Sequence, residues 1–284
     1  MLRTDLMDPL TGGNKFFKLK YNIEEAKRLE HDTILTFGGC YSNHIAATAA
    51  AGKALKIKTI GIIRGDEEKE MNDTLKTAMQ NGMQLHFVSR ENYRVKEKTD
   101  FINSLKDLFG NFYLVPEGGS NYLAVQGCKE IRDFINIPFD YICCPVGTAG
   151  TLAGICASLK PGEKAIGFSS LKKGEFLKKR TEQLMNEYYT KIHGSSINTK
   201  EKFFMACDYH FGGYAKISPE LIEFKKEFEL VNNIELDYLY TSKMMYGIMD
   251  LVKKKFFKPY SAVIAIHTGG LQGNAGFEPQ LSAN

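Results

Sequence analysis

Eight short apolar runs, with longer helix-like stretches in the gaps between them, leave this chain few ways to fold. The runs are Thr33–Phe37, Lys58–Ile62, Gln84–Val88, Phe112–Val115, Tyr141–Val146, Ala165–Phe168, Lys202–Ala206 and Ser261–Ile266. Strands that alternate with helices in this way specify an α/β fold with largely parallel sheets. Two helices can be read closely. Ser218 is an N-cap, Pro219 takes the first helical position, and Leu221, Phe224, Phe228 and Val231 then share one face. In Ser242–Val252, Met244, Met245, Ile248, Met249 and Val252 form the apolar stripe of a packed helix.

Residues 32–118 hold four strand–helix units without a break and are expected to close a small sheet of their own. Residues 1–31 and 119–284 are expected to form a larger, discontinuous domain, with a ligand held between the two at the carboxyl ends of strands. A length of 284 residues accommodates this division.

A net charge of +4 is too small to indicate nucleic acid or a membrane surface. Lys253-Lys254-Lys255 reads as a solvated helix end. The six cysteines show no C-x-x-C spacing, so no metal site is expected, and Cys143-Cys144 read as buried thiols. With no signal peptide or membrane-length apolar stretch visible, the reduced cytoplasm is the expected compartment.

Five small-residue clusters carry the chemistry. They are Thr11-Gly12-Gly13-Asn14-Lys15, Gly38-Gly39-Cys40-Tyr41-Ser42-Asn43-His44, Gly118-Gly119-Ser120-Asn121, Gly147-Thr148-Ala149-Gly150-Thr151 and His267-Thr268-Gly269-Gly270. Gly147–Thr151 joins a strand to a helix. It is either a plain turn or a phosphate cradle of backbone N–H groups, threonine hydroxyls and a helix N-terminus. Ser42 and Asn43 open another helix and suit N-caps as well as ligands. Lys15 is one lysine of many, but its glycine-rich flank suits a constrained turn. Held in a closed cleft, its amine would have a lowered pKa and become a nucleophile. Neither G-x-x-x-x-G-K-[ST] nor G-x-G-x-x-G is present to support a nucleotide site.

The set and order of these motifs, with Tyr240-Thr241-Ser242-Lys243, resemble the 1-aminocyclopropane-1-carboxylate deaminase / D-cysteine desulfhydrase family of pyridoxal-phosphate enzymes from about Leu2 to Phe277. The resemblance implies fold type II, similar to the tryptophan synthase β subunit: two open, twisted, mostly parallel sheets flanked by helices. It implies pyridoxal 5'-phosphate as cofactor, a small amino-acid substrate and a homodimer. Lys15 would anchor the cofactor covalently and Asn43 would hold its 3-oxygen. Ser42 would contact the substrate carboxylate or assist proton movement, with His44 in the same wall. Gly147, Thr148, Ala149, Gly150 and Thr151 would bind the phosphate. Tyr240 would stand over the opposite face of the cofactor, Tyr214 would be a second active-site tyrosine, and Thr268 would sit near the pyridine nitrogen.

Three departures from the family pattern shape the expectations. The N-terminus begins almost at the strand leading to Gly12-Gly13, so part of a sheet edge is expected to be missing. Phe16-Phe17 is expected to make the surroundings of Lys15 apolar. Thr241 stands where the true deaminases carry glutamate, so the resemblance implies that it binds the cofactor with a hydroxyl, in place of a carboxylate, at the pyridine nitrogen, a weaker electron sink that favours β-elimination from D-cysteine. Ring opening of 1-aminocyclopropane-1-carboxylate and a non-catalytic cofactor-binding relative remain the alternatives, with a nucleotide-using α/β enzyme as a weaker third.

Overall fold

The computed structural model describes residues 1–8, 11–66, 71–195, 202–277 and 281. Its strands are β1 (Leu2–Arg3), β2 (Thr33–Gly38), β3 (Lys58–Arg64), β4 (Met83–Val88), β5 (Tyr113–Val115), β6 (Tyr141–Val146), β7 (Lys164–Ser169), β8 (Phe203–Ala206) and β9 (Val263–His267). The helices are α1 (Gly13–Arg28), α2 (Asn43–Leu55), α3 (Asp73–Gln80), α4 (Arg90–Arg94), α5 (Thr99–Phe109), α6 (Tyr122–Lys129), α7 (Gly150–Ser158), α8 (Phe176–His193), α9 (Pro219–Asn232) and α10 (Thr241–Lys253).

Every strand pairing is parallel. One sheet has the order β4-β3-β2-β5 and the other β1-β9-β6-β7-β8. Parallel strands covered by helices on both faces are apolar throughout. Accordingly β6 is buried along its whole length, with Ile142, Cys144 and Val146 in the core under α6, α7 and α8, and Tyr141 and Cys143 in the core under α10. In β2, Leu35 and Phe37 face α5, while Ile34 faces α1 and α2.

Helix α1 belongs to both cores. Phe17 packs beneath the five-stranded sheet, and Leu19, Ile23 and Ala26 pack on Ile34 and Val115 of the four-stranded one. This placement holds the start of α1, and with it Lys15, where the two sheets meet.

Two helix faces differ from expectation. Val231 is 81% exposed because the last turn of α9 outruns the partners that cover Leu221. In α10, Leu251 completes the buried stripe three residues after Ile248, and Met249 and Val252 face outward. Lys253, Lys254 and Lys255 are exposed at the end of that helix. Among the described residues no helix is long and apolar enough to cross a membrane.

Candidate active site

A cavity of about 280 Å³ opens where the carboxyl ends of β2, β3, β5, β6 and β9 converge. All five small-residue clusters reach it. Asn14 and Lys15, Ser42 with Asn43 and His44, Gly118, the Gly147–Ala149 turn with Thr151, and Thr268 all line its wall.

The turn into α1 needs glycine. Gly13 has φ +52°, and a Cβ there would lie 1.9 Å from the Thr268 carbonyl oxygen. Close packing of these two turns delivers Lys15 to the cavity floor. Its Nζ donates to Asn14 Oδ1 at 3.0 Å, and Asn14 Nδ2 donates to Thr151 Oγ1 at 2.8 Å. Burial, reinforced by the Lys18 charge, lowers the Lys15 pKa to about 7. About half of the amine is therefore unprotonated at neutral pH.

Lys18 lies three residues on, on the same helical face, and is only 3% exposed. Its Nζ donates to the Gly118 carbonyl (3.0 Å), Ser120 Oγ (3.0 Å) and Thr148 Oγ1 (3.2 Å). Burial lowers its pKa too. The ammonium sits beside the open start of α7. Ala149 precedes that helix in the left-handed region (φ 66°) and supplies no side-chain cap. The first N–H groups of α7 are thus left for an anion. A buried ammonium, two hydroxyls and a helix N-terminus next to a partly neutral amine fit a phosphorylated aldehyde. Gly150 does not line the cavity. It lets the helix approach Ser120, since a Cβ there would lie 2.6 Å from Ser120 Oγ.

At the start of α2, Ser42 Oγ accepts from His44 N and Ile45 N, both at 3.3 Å, and its own hydroxyl hydrogen stays available to a ligand. Asn43 Oδ1 accepts from Gln272 Nε2 at 2.8 Å. His44 is 2% exposed, and its Nε2 lies 2.8 Å from Thr36 Oγ1, whose hydroxyl donates to the Val115 carbonyl. The proton therefore sits on Nε2, and Nδ1 is an acceptor with no partner. Burial and the two neighbouring lysines push the His44 pKa well below its ordinary value, so the ring is neutral.

Tyr240 and Tyr214 line the cavity side by side in edge-to-face contact, with ring centroids 6.4 Å apart. Tyr240 lies against Gly147, where a Cβ would meet its ring and hydroxyl at 3.1 Å. Burial raises the pKa of both phenols, that of Tyr240 furthest, so both remain protonated at neutral pH. Lys243, one turn along α10, is 1% exposed and donates to the carbonyls of His210 (3.0 Å) and Gly213 (2.9 Å). It thereby holds the loop that carries Tyr214, in which Phe211, Gly212, Gly213 and Ala215 all have positive φ.

Thr241 is the main correction. It is completely buried and does not line the cavity. Its hydroxyl donates to Asp237 Oδ2 at 2.6 Å, and the Asp237 carboxylate also accepts from Tyr240 N (2.7 Å) and Thr241 N (2.9 Å). Thr241 opens α10 and turns toward this capping carboxylate, while the preceding Tyr240 faces the ligand. Phe16 and Phe17 also miss the cavity: Phe17 is core and Phe16 faces outward. Lys18, Tyr41, Arg64 and Glu117 line the wall without having been singled out in the sequence. Only Lys18 had a readable signal, its helical spacing from Lys15.

Residues 2–269 match the family model described as pyridoxal-phosphate dependent enzyme. A Thermotoga maritima protein provisionally named 1-aminocyclopropane-1-carboxylate deaminase is 32% identical, over 95% of this chain and 88% of its own. A mitochondrial Arabidopsis thaliana protein named as a bifunctional D-cysteine desulfhydrase/1-aminocyclopropane-1-carboxylate deaminase is 28% identical, over 95% of this chain and 72% of its own. A crystal structure described as a 1-aminocyclopropane-1-carboxylate deaminase homologue matches with a TM-score of 0.86 at 26% identity, over 99% of this chain and 87% of that one.

Proposed function

Because the chain belongs to the family of pyridoxal-phosphate dependent enzymes, we propose that it is a lyase that deaminates a small amino acid by β-elimination. D-Cysteine is the first substrate to test, with pyruvate, sulfide and ammonia as products. The fold is type II and the cofactor is pyridoxal 5'-phosphate. The observation that carries the reading is the wall of Leu239, Tyr240 and Thr268, which presents hydroxyls and no carboxylate. When bound, the cofactor supplies an electron sink that is strongest with its ring nitrogen protonated. A carboxylate at that nitrogen would keep it protonated, and a hydroxyl would not. Opening a cyclopropane that lacks an α-hydrogen needs the stronger sink, whereas removing an α-proton beside a leaving thiolate needs less. Asp237 does not supply the missing charge, because it lies outside the cavity lining with its oxygens committed to the start of α10.

In this reading Lys15 anchors the cofactor and its amine takes the Cα proton. Lys18, Thr148, Thr151 and the backbone of Gly147 and Ala149 hold the phosphate, and Asn43 holds the 3-oxygen. Ser42 and the start of α2 receive the substrate carboxylate, with His44 as a neutral wall. Tyr240 and Tyr214, both protonated, give a proton to the departing sulfur. The same reading takes residues 32–118 as a smaller lobe against residues 1–31 and 119–284, in a cytoplasmic homodimer.

Ring opening of 1-aminocyclopropane-1-carboxylate is the second reading, favoured by the names of the similar proteins. A non-catalytic carrier is disfavoured by the meeting of Lys15, Ser42, Asn43 and Tyr240 in one cavity. Initial rates at matched subsaturating concentrations decide. We expect at least about tenfold more pyruvate from D-cysteine than 2-oxobutyrate from the cyclopropane, roughly 1.4 kcal/mol in transition-state energy. Equal or greater ring opening would reverse the order of the two readings, and no product from either would favour the carrier.

A further inference from the structure

Asn43 lines the cavity at the start of α2, and in the reading above its side chain holds the cofactor's 3-oxygen. That oxygen is an acceptor, so the amide must present its nitrogen. A free asparagine can turn either end of its amide to a ligand. Here one end is taken. Gln272 Nε2 donates to Asn43 Oδ1 at 2.8 Å, and Gln272 does not itself line the cavity. Asn43 Nδ2 donates to no group among the described residues. It lies against the main chain of Gly270, where a Cβ would come within 2.1 Å of it.

The side chain of Gln272 is exposed, but its backbone is anchored on both sides. It belongs to the 3-10 turn Leu271–Phe277, which Gly273 N closes by donating to the Gly270 carbonyl at 3.0 Å. Tyr238 N donates to Asn274 Oδ1 (3.0 Å), and Asn274 Nδ2 donates to the Leu236 carbonyl (3.1 Å). Phe277 is buried against Tyr238, with ring centroids 5.4 Å apart. On the other side Gly276 packs on the Tyr41 ring, which a Cβ would meet at 3.2 Å. The turn is therefore a strap. Asn274 and Phe277 fasten it to the segment that leads into Tyr240, while Gln272 and Gly276 reach the residues around the start of α2.

We propose that Gln272 is a positioning residue for the cofactor: it fixes the Asn43 amide with its nitrogen toward the 3-oxygen. The inference rests on the reading of Asn43 given above and deepens it. Glutamine supplies the N–H donor that Asn43 Oδ1 needs. An ionised glutamate at this position only accepts, so it would draw Nδ2 to itself and leave Oδ1 facing the 3-oxygen, acceptor against acceptor. That arrangement costs more than loss of the bond alone, because it adds a repulsion.

The test uses the protein freed of cofactor and two probes, pyridoxal phosphate and 3-deoxypyridoxal phosphate, which lacks the 3-oxygen. Calorimetric titration gives both dissociation constants, and comparing their ratio between variants isolates the 3-oxygen. Gln272→Met should lower the preference for pyridoxal phosphate about fivefold, the scale of one directed hydrogen bond, and Gln272→Glu about tenfold or more. Affinity of Gln272→Met for the 3-deoxy probe should stay within about twofold of the unmodified protein's. In the Asn43→Ala background, Gln272→Met should change the preference by less than about twofold, because Gln272 acts through Asn43. Equal weakening toward both probes would mean a merely structural role and would overturn the proposal. So would an unchanged preference, or a full further loss in the Asn43→Ala background. If Asn43→Ala itself leaves the preference intact, the reading of Asn43 fails and the proposal falls with it. If Asn43→Ala lowers the preference and Gln272→Met does not, the proposal alone fails.

Discussion

Lys15 should capture an aldehyde far faster than an ordinary lysine, and the pH at which it does so follows from its surroundings. Burial is the main cause of its lowered pKa and the Lys18 charge is second, bringing the value to about 7. At about pH 8, roughly nine-tenths of Lys15 is then the free amine, against about 0.3% of a lysine at the ordinary value near 10.5, a ratio of about 300. The assay mixes cofactor-free protein with pyridoxal, which avoids the titration of the phosphate, and follows visible absorbance by stopped flow. The second-order rate should climb to half its maximum near pH 7 and level off above about pH 8. Lys18→Met removes the second cause, so the midpoint should move upward. Borohydride reduction followed by peptide mapping should place the label on Asn14-Lys15. A midpoint near pH 10, or label on any other lysine, would refute the reasoning.

Gly150→Val should weaken pyridoxal phosphate binding about tenfold or more, because the new side chain meets Ser120 Oγ and crowds Lys18, with Cβ contacts of 2.6 and 3.3 Å; titration of visible absorbance measures it, and an unchanged affinity would make the turn an ordinary one. Gly13→Ala should cost about 2–4 kcal/mol of stability in urea unfolding, since the methyl falls 1.9 Å from the Thr268 carbonyl oxygen at a positive φ. Lys243→Met should lower kcat about tenfold while the cofactor dissociation constant stays within about twofold, because the lost bonds hold the Tyr214 loop and not the phosphate. Burial lowers the Lys243 pKa to about 8. Below that value its ammonium donates to both carbonyls, and above it the clamp weakens, so the unmodified enzyme should lose kcat as pH rises through about 8.

By itself the sequence determined the order of strands and helices, the parallel sheets and the five turns that meet in the cavity. These depend on local properties: apolar runs of strand length, caps, and glycines that let backbones approach. Which side chain at a turn faces the ligand was settled only by tertiary structure. Thr241 and Tyr240 are adjacent in sequence, yet the start of α10 points one at Asp237 and the other into the cavity. Phe16-Phe17 looked like a wall of the site, but the phase of α1 gives those positions to solvent and core and gives the cavity to Lys18. Arg64 and Glu117 lie on separate strand ends that become neighbours only when β2 and β5 pair beside β3. No spacing in the chain announces such a meeting, because sheet order, not sequence distance, sets which strand ends share a cavity.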